Sequence, residues 1–137
     1  MPLIPSMPSI ALVLFVEDVA RLSVFYATIA KMSVQDTGPN YAILALPGFE
    51  LILHAYGQLE NQDQQDLISP VVVREDSYTK LCLPVAQIEE VRILAEQLGG
   101  RIKSKEHEWS SENFCACDGN DPEGNVIQVR MPLMAFS

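Results

Sequence analysis

Gly48-Phe-Glu-Leu-Ile-Leu-His54 and Gly124-Asn-Val-Ile-Gln-Val-Arg130 are two segments built to one design. Each is a glycine followed by side chains that alternate along the chain, a pattern that predicts a β-strand entered from a turn. Each segment closes a half of the chain. The halves open on Ala11-Leu-Val-Leu-Phe-Val16 and on Lys80-Leu-Cys-Leu-Pro-Val85, and an amphipathic stretch follows each opening strand. An internal duplication of this kind predicts two copies of one unit that bury their apolar faces against each other.

Each unit is predicted to run β-α-β-β-β. Ser9 to Val16 is apolar at both alternating sets of positions, which predicts a strand covered on both faces. Asp18 suits the N-cap of the first helix. A strand pair is predicted over Tyr41 to Tyr56, turning at a Pro-Gly dipeptide. The second helix is predicted over Pro84 to Leu98, and Gly99 is placed to end it.

The two units are expected to form a single domain with modules at 8–56 and 77–132. A connector, 57–76, joins them. Much of the connector is polar, uncharged or acidic, and it lacks periodicity, so it is predicted to be mobile.

Composition limits the classes of protein to consider. The chain has 137 residues, 48% of them hydrophobic, which is ordinary for one globular domain. No apolar run is long enough to span a membrane, and the N-terminus lacks the basic region of a signal peptide. Three cysteines cannot all pair within one chain, so reduced thiols in the cytoplasm are expected.

The net charge of −9 argues against nucleic acid as a partner. An acidic surface would attract cationic ligands to the mouth of a cleft, but acidity more often serves solubility alone.

Two further motifs carry a resemblance. Val16-Glu17-Asp18 leads through an amphipathic stretch to Phe25-Tyr26, and Asp121-Pro-Glu-Gly-Asn125 leads into the last strand. In this order, on two matched halves, they resemble the vicinal oxygen chelate superfamily, which includes glyoxalase I, extradiol dioxygenases and the fosfomycin- and bleomycin-resistance proteins. The resemblance implies an α+β fold in which two βαβββ modules form a concave mixed-sheet cleft with helices outside. It also implies a homodimer with a small-molecule ligand.

The same resemblance places the metal ligands of the family's enzymes at Ala11, Ile52, Lys80 and Gln128. Alanine and isoleucine have no donor atom, lysine repels a divalent cation, and glutamine offers one weak neutral oxygen. The sequence therefore predicts that this chain holds neither the metal nor another cofactor.

Two relocated metal sites stay open as alternatives. One would use carboxylate and imidazole groups, and the other would use thiolates, although zinc-binding cysteine pairs usually have two or more residues between them. The ordinary alternatives are a hydrogen-bonded histidine and small buried cysteines. The first set is Glu50, His54 and His107, and the second is Cys82, Cys115 and Cys117.

The period of two along a strand predicts which side chains share the cleft. Ala11 would bring Val13 and Phe15, Ile52 would bring Glu50 and His54, Lys80 would bring Cys82 and Pro84, and Gln128 would bring Val126 and Arg130. The candidate ligand-binding residues are Lys80, Gln128, Ile52, His54, Glu50, Trp109, Phe15 and Arg130; no catalytic residue is assigned.

Different roles are expected of these residues. Lys80 would hold an anionic oxygen, or it would be neutralised by Glu50 or another nearby acid. Arg130 would strengthen an anion site, or it would lie in solvent at the end of its strand. Trp109, which has polar neighbours in the sequence, is expected to stack on a planar ligand. Phe15 would either add to the wall of the cleft or, as the favoured alternative, belong to the core.

Three functions follow as hypotheses. The first is a metal-free, dimeric small-molecule-binding protein that sequesters a partly aromatic ligand. The second is a lyase, isomerase or dioxygenase-like enzyme in which Lys80 polarises an oxygen and Glu50 or His54 moves a proton. The third is a non-catalytic protein whose shape serves only assembly or regulation.

Overall fold

The computed structural model describes residues 7–56 and 71–133, so most of the predicted connector lies outside the described residues. No helix in these ranges is long and apolar enough to cross a membrane. The elements are β1 (Ile10–Val16), α1 (Val19–Ile29), β2 (Ser33–Thr37), β3 (Tyr41–Leu46), β4 (Phe49–Ala55), β5 (Leu81–Pro84), α2 (Ile88–Gln97), β6 (Arg101–Ile102), a 3-10 turn (Lys105–His107), β7 (Trp109–Ser110), β8 (Phe114–Asn120) and β9 (Val126–Pro132).

The first module forms a mixed sheet in the order β1-β4-β3-β2, with β1 parallel to β4 and the other neighbours antiparallel. The predicted cap of α1 is confirmed, because the Asp18 carboxylate accepts a hydrogen bond of 3.0 Å from the backbone N–H of Arg21. Gly48 has φ +80°, a conformation that favours glycine, and it turns the chain from β3 into β4.

The second module repeats this layout. Its sheet has the order β5-β9-β8-β6, and the short β7 pairs with β8. The prediction that α2 starts at Pro84 is wrong, since Pro84 ends β5 and the helix begins at Ile88. The backbone N–H of Val85 still donates to the Arg130 carbonyl, so the chain follows the sheet beyond Pro84. Gly99, with φ +95°, ends the helix as predicted.

A buried carboxylate joins the modules. Asp121, which is fully buried in the turn between β8 and β9, accepts a hydrogen bond of 2.7 Å from the hydroxyl of Tyr26 on α1. Burial, and then the Asp121 charge, raise the pKa of Tyr26 well above its ordinary value, so this hydroxyl stays a donor. The helices contact each other, and one apolar core runs through both modules. The predicted α+β fold of two βαβββ modules is confirmed.

Each helix covers one face of its sheet and leaves the other face, here called the outer face, outside the core. The prediction that β1 is covered on both sides is therefore wrong for the chain alone. Leu12, Leu14 and Val16 face α1 and the core. Val13 and Phe15 point the other way and are 45% and 59% exposed.

We predict that Tyr26→Phe lowers the free energy of unfolding by about 1.5–3 kcal/mol, the range for a hydrogen bond to a charged group. The matched control is Tyr56→Phe, because the Tyr56 hydroxyl donates to the exposed Glu17 carboxylate. That change should cost less than about 0.5 kcal/mol. Urea unfolding of the two variants measures both values, and equal losses would contradict the role given to Asp121.

Candidate ligand-binding face

The outer face of the second sheet gathers the polar side chains of the sequence-predicted site. Asp118 on β8, Gln128 on β9 and Cys82 on β5 stand in one row across the strands. Trp109, Ala116, Arg130 and Pro84 form the adjacent row. Residues two apart along a strand point to the same side, so both rows share this face.

Lys80 and Gln128 meet at Asp118, which sequence reasoning missed. The Lys80 ammonium donates to one Asp118 oxygen at 2.9 Å, and the Gln128 amide nitrogen donates to the other at 3.0 Å. Burial alone would raise the pKa of Asp118, but the hydrogen bonds from Gln128 and Lys80 outweigh it and hold the pKa below its ordinary value. Lys80 is therefore neutralised by a nearby acid, and this acid is Asp118 rather than Glu50.

The chain of contacts continues to an aromatic pair. Arg130 donates from Nε to the Gln128 amide oxygen at 2.7 Å, and its guanidinium carbon lies 4.4 Å from the centre of the Phe114 ring. The Phe114 and Trp109 rings meet edge to face at 5.8 Å. Trp109 remains 45% exposed. Arg130 thus lies on the face, half-buried, and not in solvent at the strand end.

Trp109 is anchored from the other side of the sheet by a residue that sequence reasoning did not select. Arg92 on α2 forms an ion pair of 2.7 Å with Glu108, which precedes Trp109, and also donates to the Lys103 carbonyl at 2.8 Å. Both partners of the ion pair are largely buried. The ion pair holds the start of β7 against the sheet, where the Trp109 ring contacts Phe114.

A cavity of about 170 Å³ opens at the Lys80 end of the face, and its walls include Tyr78, Lys103 and Asp118. A cavity of this size next to two ammonium groups, two carboxylates (Glu75 and Asp118) and an aromatic ring is suited to part of a small polar molecule.

The remaining candidate residues lie on the outer face of the first sheet. Glu50 pairs with Ala11, Ile52 with Val13, and His54 with Phe15, so these side chains share a face as the strand period predicts. The His54 and Phe15 rings lie 5.9 Å apart, and His54 Nδ1 is 2.8 Å from the Ala55 carbonyl oxygen. Phe15, at 59% exposed, is not core. Within the described parts of one chain, these residues are on a different sheet from Lys80 and Gln128.

The residues at the family's metal positions do not fit a metal ion. Both ends of the Gln128 amide are occupied, by Asp118 and by Arg130, and Lys80 is an ammonium group bound to a carboxylate. The side chains of Ala11 and Ile52 carry no donor atom. A divalent cation needs several anionic or imidazole donors, and the Asp118 carboxylate beside these positions already binds Lys80 and Gln128.

The two alternative metal sites considered from the sequence are not formed either. Cys82 is on the outer face, whereas Cys115 and Cys117 point into the core, so the alternative thiolate site is not formed, and Cys115 and Cys117 are small buried residues. Across 7–56 and 71–133, no three His, Cys, Asp or Glu side chains are grouped to hold a metal ion. Glu50, His54 and His107 therefore form no such group.

No family model matches this sequence, and no curated protein matches it either. Solved structures do match. A glyoxalase/bleomycin resistance protein/dioxygenase family enzyme from Burkholderia phytofirmans PsJN superposes with TM-score 0.65 at 15% identity, covering 90% of this chain and 97% of that chain. An integron cassette protein from the mobile metagenome of V. cholerae gives TM-score 0.60 at 20% identity, covering 94% and 98%. The fosfomycin resistance protein FosX from Listeria monocytogenes, in complex with Mn(II) and sulfate, gives 0.60 at 12% identity, covering 96% and 94%. At these identities the likeness shows the glyoxalase/bleomycin-resistance fold.

We predict that Lys80→Met raises the pKa of Asp118 toward its ordinary value of 3.8, because the ammonium partner is lost. In the unaltered protein, ionised Asp118 contributes stability above its ordinary pKa, and this contribution is lost as the pH falls through the depressed value. The variant should therefore lose less stability on acidification below about pH 4. Carboxyl NMR titration measures the pKa. Lys105→Met, which removes an exposed lysine of the 3-10 turn, is the control and should leave Asp118 unchanged.

Proposed function

We propose that this chain is a metal-free small-molecule-binding protein that holds a partly aromatic ligand on the outer face of its second sheet. The observation that carries the proposal is the state of this face. Lys80, Asp118, Gln128 and the Nε of Arg130 are held in place by hydrogen bonds to one another, and an exposed indole lies at one end. Such a face is preorganised for binding, since a ligand meets fixed side chains and does not have to order them.

An enzyme is the less supported alternative. It would need Lys80 to polarise an oxygen, yet Lys80 is bound to Asp118. It would also need Glu50 or His54 to move a proton, and these residues stand on the other sheet. A catalytic proton donor has to lie within hydrogen-bonding reach of the reacting atom. Ligand binding requires neither the release of Lys80 from Asp118 nor the approach of Glu50 or His54, so the contacts favour binding over catalysis.

A library of small aromatic molecules tests the proposal with two-dimensional amide NMR. We expect binders to shift the signals of Ala116, Asp118 and Gln128, together with the side-chain signal of Trp109. Trp109→Ala should weaken such binders by about 1 kcal/mol or more. Binders that cluster elsewhere, or a library without any binder on this face, would refute the proposal.

Metal removal tests the metal-free part separately. We expect protein dialysed against a chelator to contain no stoichiometric transition metal by elemental analysis and to bind the same aromatic molecules unchanged. One zinc, iron, nickel or manganese ion per chain that survives mild purification would overturn this part, and ligand binding that is lost with the metal would do so as well.

We further propose a homodimer that covers the outer face of the first sheet. Strand β1 is the edge of its sheet, and its side chains on this face include exposed Val13 and Phe15. An open edge with apolar side chains favours association with another chain. A second copy that pairs at this edge would cover these apolar side chains.

Sedimentation equilibrium should give twice the chain mass of 15.2 kDa. Val13→Lys should shift the mass toward the monomer, because a buried unpaired ammonium is costly. Val24→Lys on α1 is the matched control, since Val24 is also exposed, and it should remain dimeric. A parent protein that stays monomeric at high concentration would rule out the dimer.

A reducing compartment, the cytoplasm, fits the cysteines. All three are free thiols, and Cys82 is separated by the sheet from Cys115 and Cys117. Secreted proteins usually have their cysteines paired.

A further inference from the structure

The outer face of the second sheet has a charge opposite to that of the chain as a whole. The net charge is −9, yet four of the nine Lys and Arg residues project from this face or its edge. Because Ile102 is buried in the core, its neighbours Arg101 and Lys103 point outward. Lys80 and Arg130 complete the set, and Asp118 is the acidic residue among the described strand residues of this face. An acidic protein that concentrates its cations on one surface offers a local site for an anion.

Arg130 differs from the other cations of this face. Lys80 is neutralised by Asp118. Arg130 is held by its Nε bond to Gln128 and by the Phe114 ring below its plane, and within the described ranges no residue accepts a hydrogen bond from its terminal amino groups. A guanidinium fixed in this way presents a planar fork that matches both oxygens of a carboxylate, and little conformational entropy is lost on binding.

An aromatic surface adjoins that fork. Phe114 contacts both the Arg130 guanidinium and the Trp109 ring. Trp109 is about half exposed and anchored through Glu108 and Arg92. A ring that carries a carboxylate can place its charge on Arg130 and its apolar surface against Trp109.

We infer that the ligand of this face is an aromatic carboxylate, bound through a two-pronged ion pair with Arg130 and ring packing on Trp109. This inference rests on the proposed function and names the ligand class. It corrects the sequence-based expectation that Lys80 supplies the charge, because the Lys80 charge is already used within the protein.

Naphthoate and its neutral counterpart naphthamide are the probes, since they differ at the carboxylate and share the ring. Trp109 is the only tryptophan of the chain, so its fluorescence reports on this site alone. We expect naphthoate to bind at least about tenfold tighter than naphthamide by calorimetric titration and to alter the Trp109 emission; tenfold is what about 1.4 kcal/mol provides.

Three variants test the role of Arg130. Arg130→Gln should remove the preference for naphthoate while naphthamide still binds, and Arg130→Lys should retain part of it, since lysine keeps the charge without the planar fork. Arg21→Gln on α1 removes the same charge away from the face and should bind as the parent does. Circular dichroism confirms that each variant is folded.

The outcomes separate this inference from the proposed function. Equal affinity for both probes, or an undiminished preference in Arg130→Gln, would overturn the inference while leaving a ligand-binding face in place. If neither probe binds but other library members bind this face, the ligand class is wrong and the function stands. If no small molecule binds the face, both fail.

Discussion

The buried carboxylate of Asp121 sets the arrangement of the whole chain. It accepts hydrogen bonds from Tyr26 of the first module and from the backbone and side chain of Asn125 in its own turn. An ionised group without water is tolerated only when its oxygens are satisfied in this way. Beside it, the Glu123 carboxylate accepts from the backbone N–H groups of Glu17 and Asp18, where α1 begins. One turn of the second module thereby holds the first helix.

The position of the candidate ligand-binding face follows from these contacts between the two modules. With α1 held against the turn before β9, the two helices contact each other and share one core. The sheets must then direct their other faces outward, because a helix covers a single side of each sheet. This arrangement leaves two faces outside the core, namely the apolar outer face of the first sheet and the basic outer face of the second. In the proposals made above, a second copy covers the first of these faces and a ligand binds to the second.

The duplication made the fold predictable, since strand alternation, the cap at Asp18 and the turn glycines are local signals that agree with one another. Three features were missed or wrongly predicted, each for a different reason. Strand β1 is apolar on both sides, and sequence cannot tell whether its second side is covered by the same chain. Asp118 was passed over, although its place between Cys117 and a glycine in an alternating strand assigns it to the outer face opposite the buried thiols. The Arg92–Glu108 pair was missed because it joins a helix to a loop, and such a contact produces no periodic pattern in the sequence.

The resemblance to metal enzymes also acquires a physical meaning. A divalent ion in such a site supplies fixed positive charge to an incoming oxygen. Here Gln128 accepts from Arg130 and donates to Asp118, so it ties a guanidinium to a carboxylate that also binds Lys80. These four side chains together carry one net positive charge, held in fixed positions at or beside the positions that correspond to metal ligands in those enzymes. Recognition of an anion at this face would therefore not require metal donors, because its positive charge is covalently attached to the sheet.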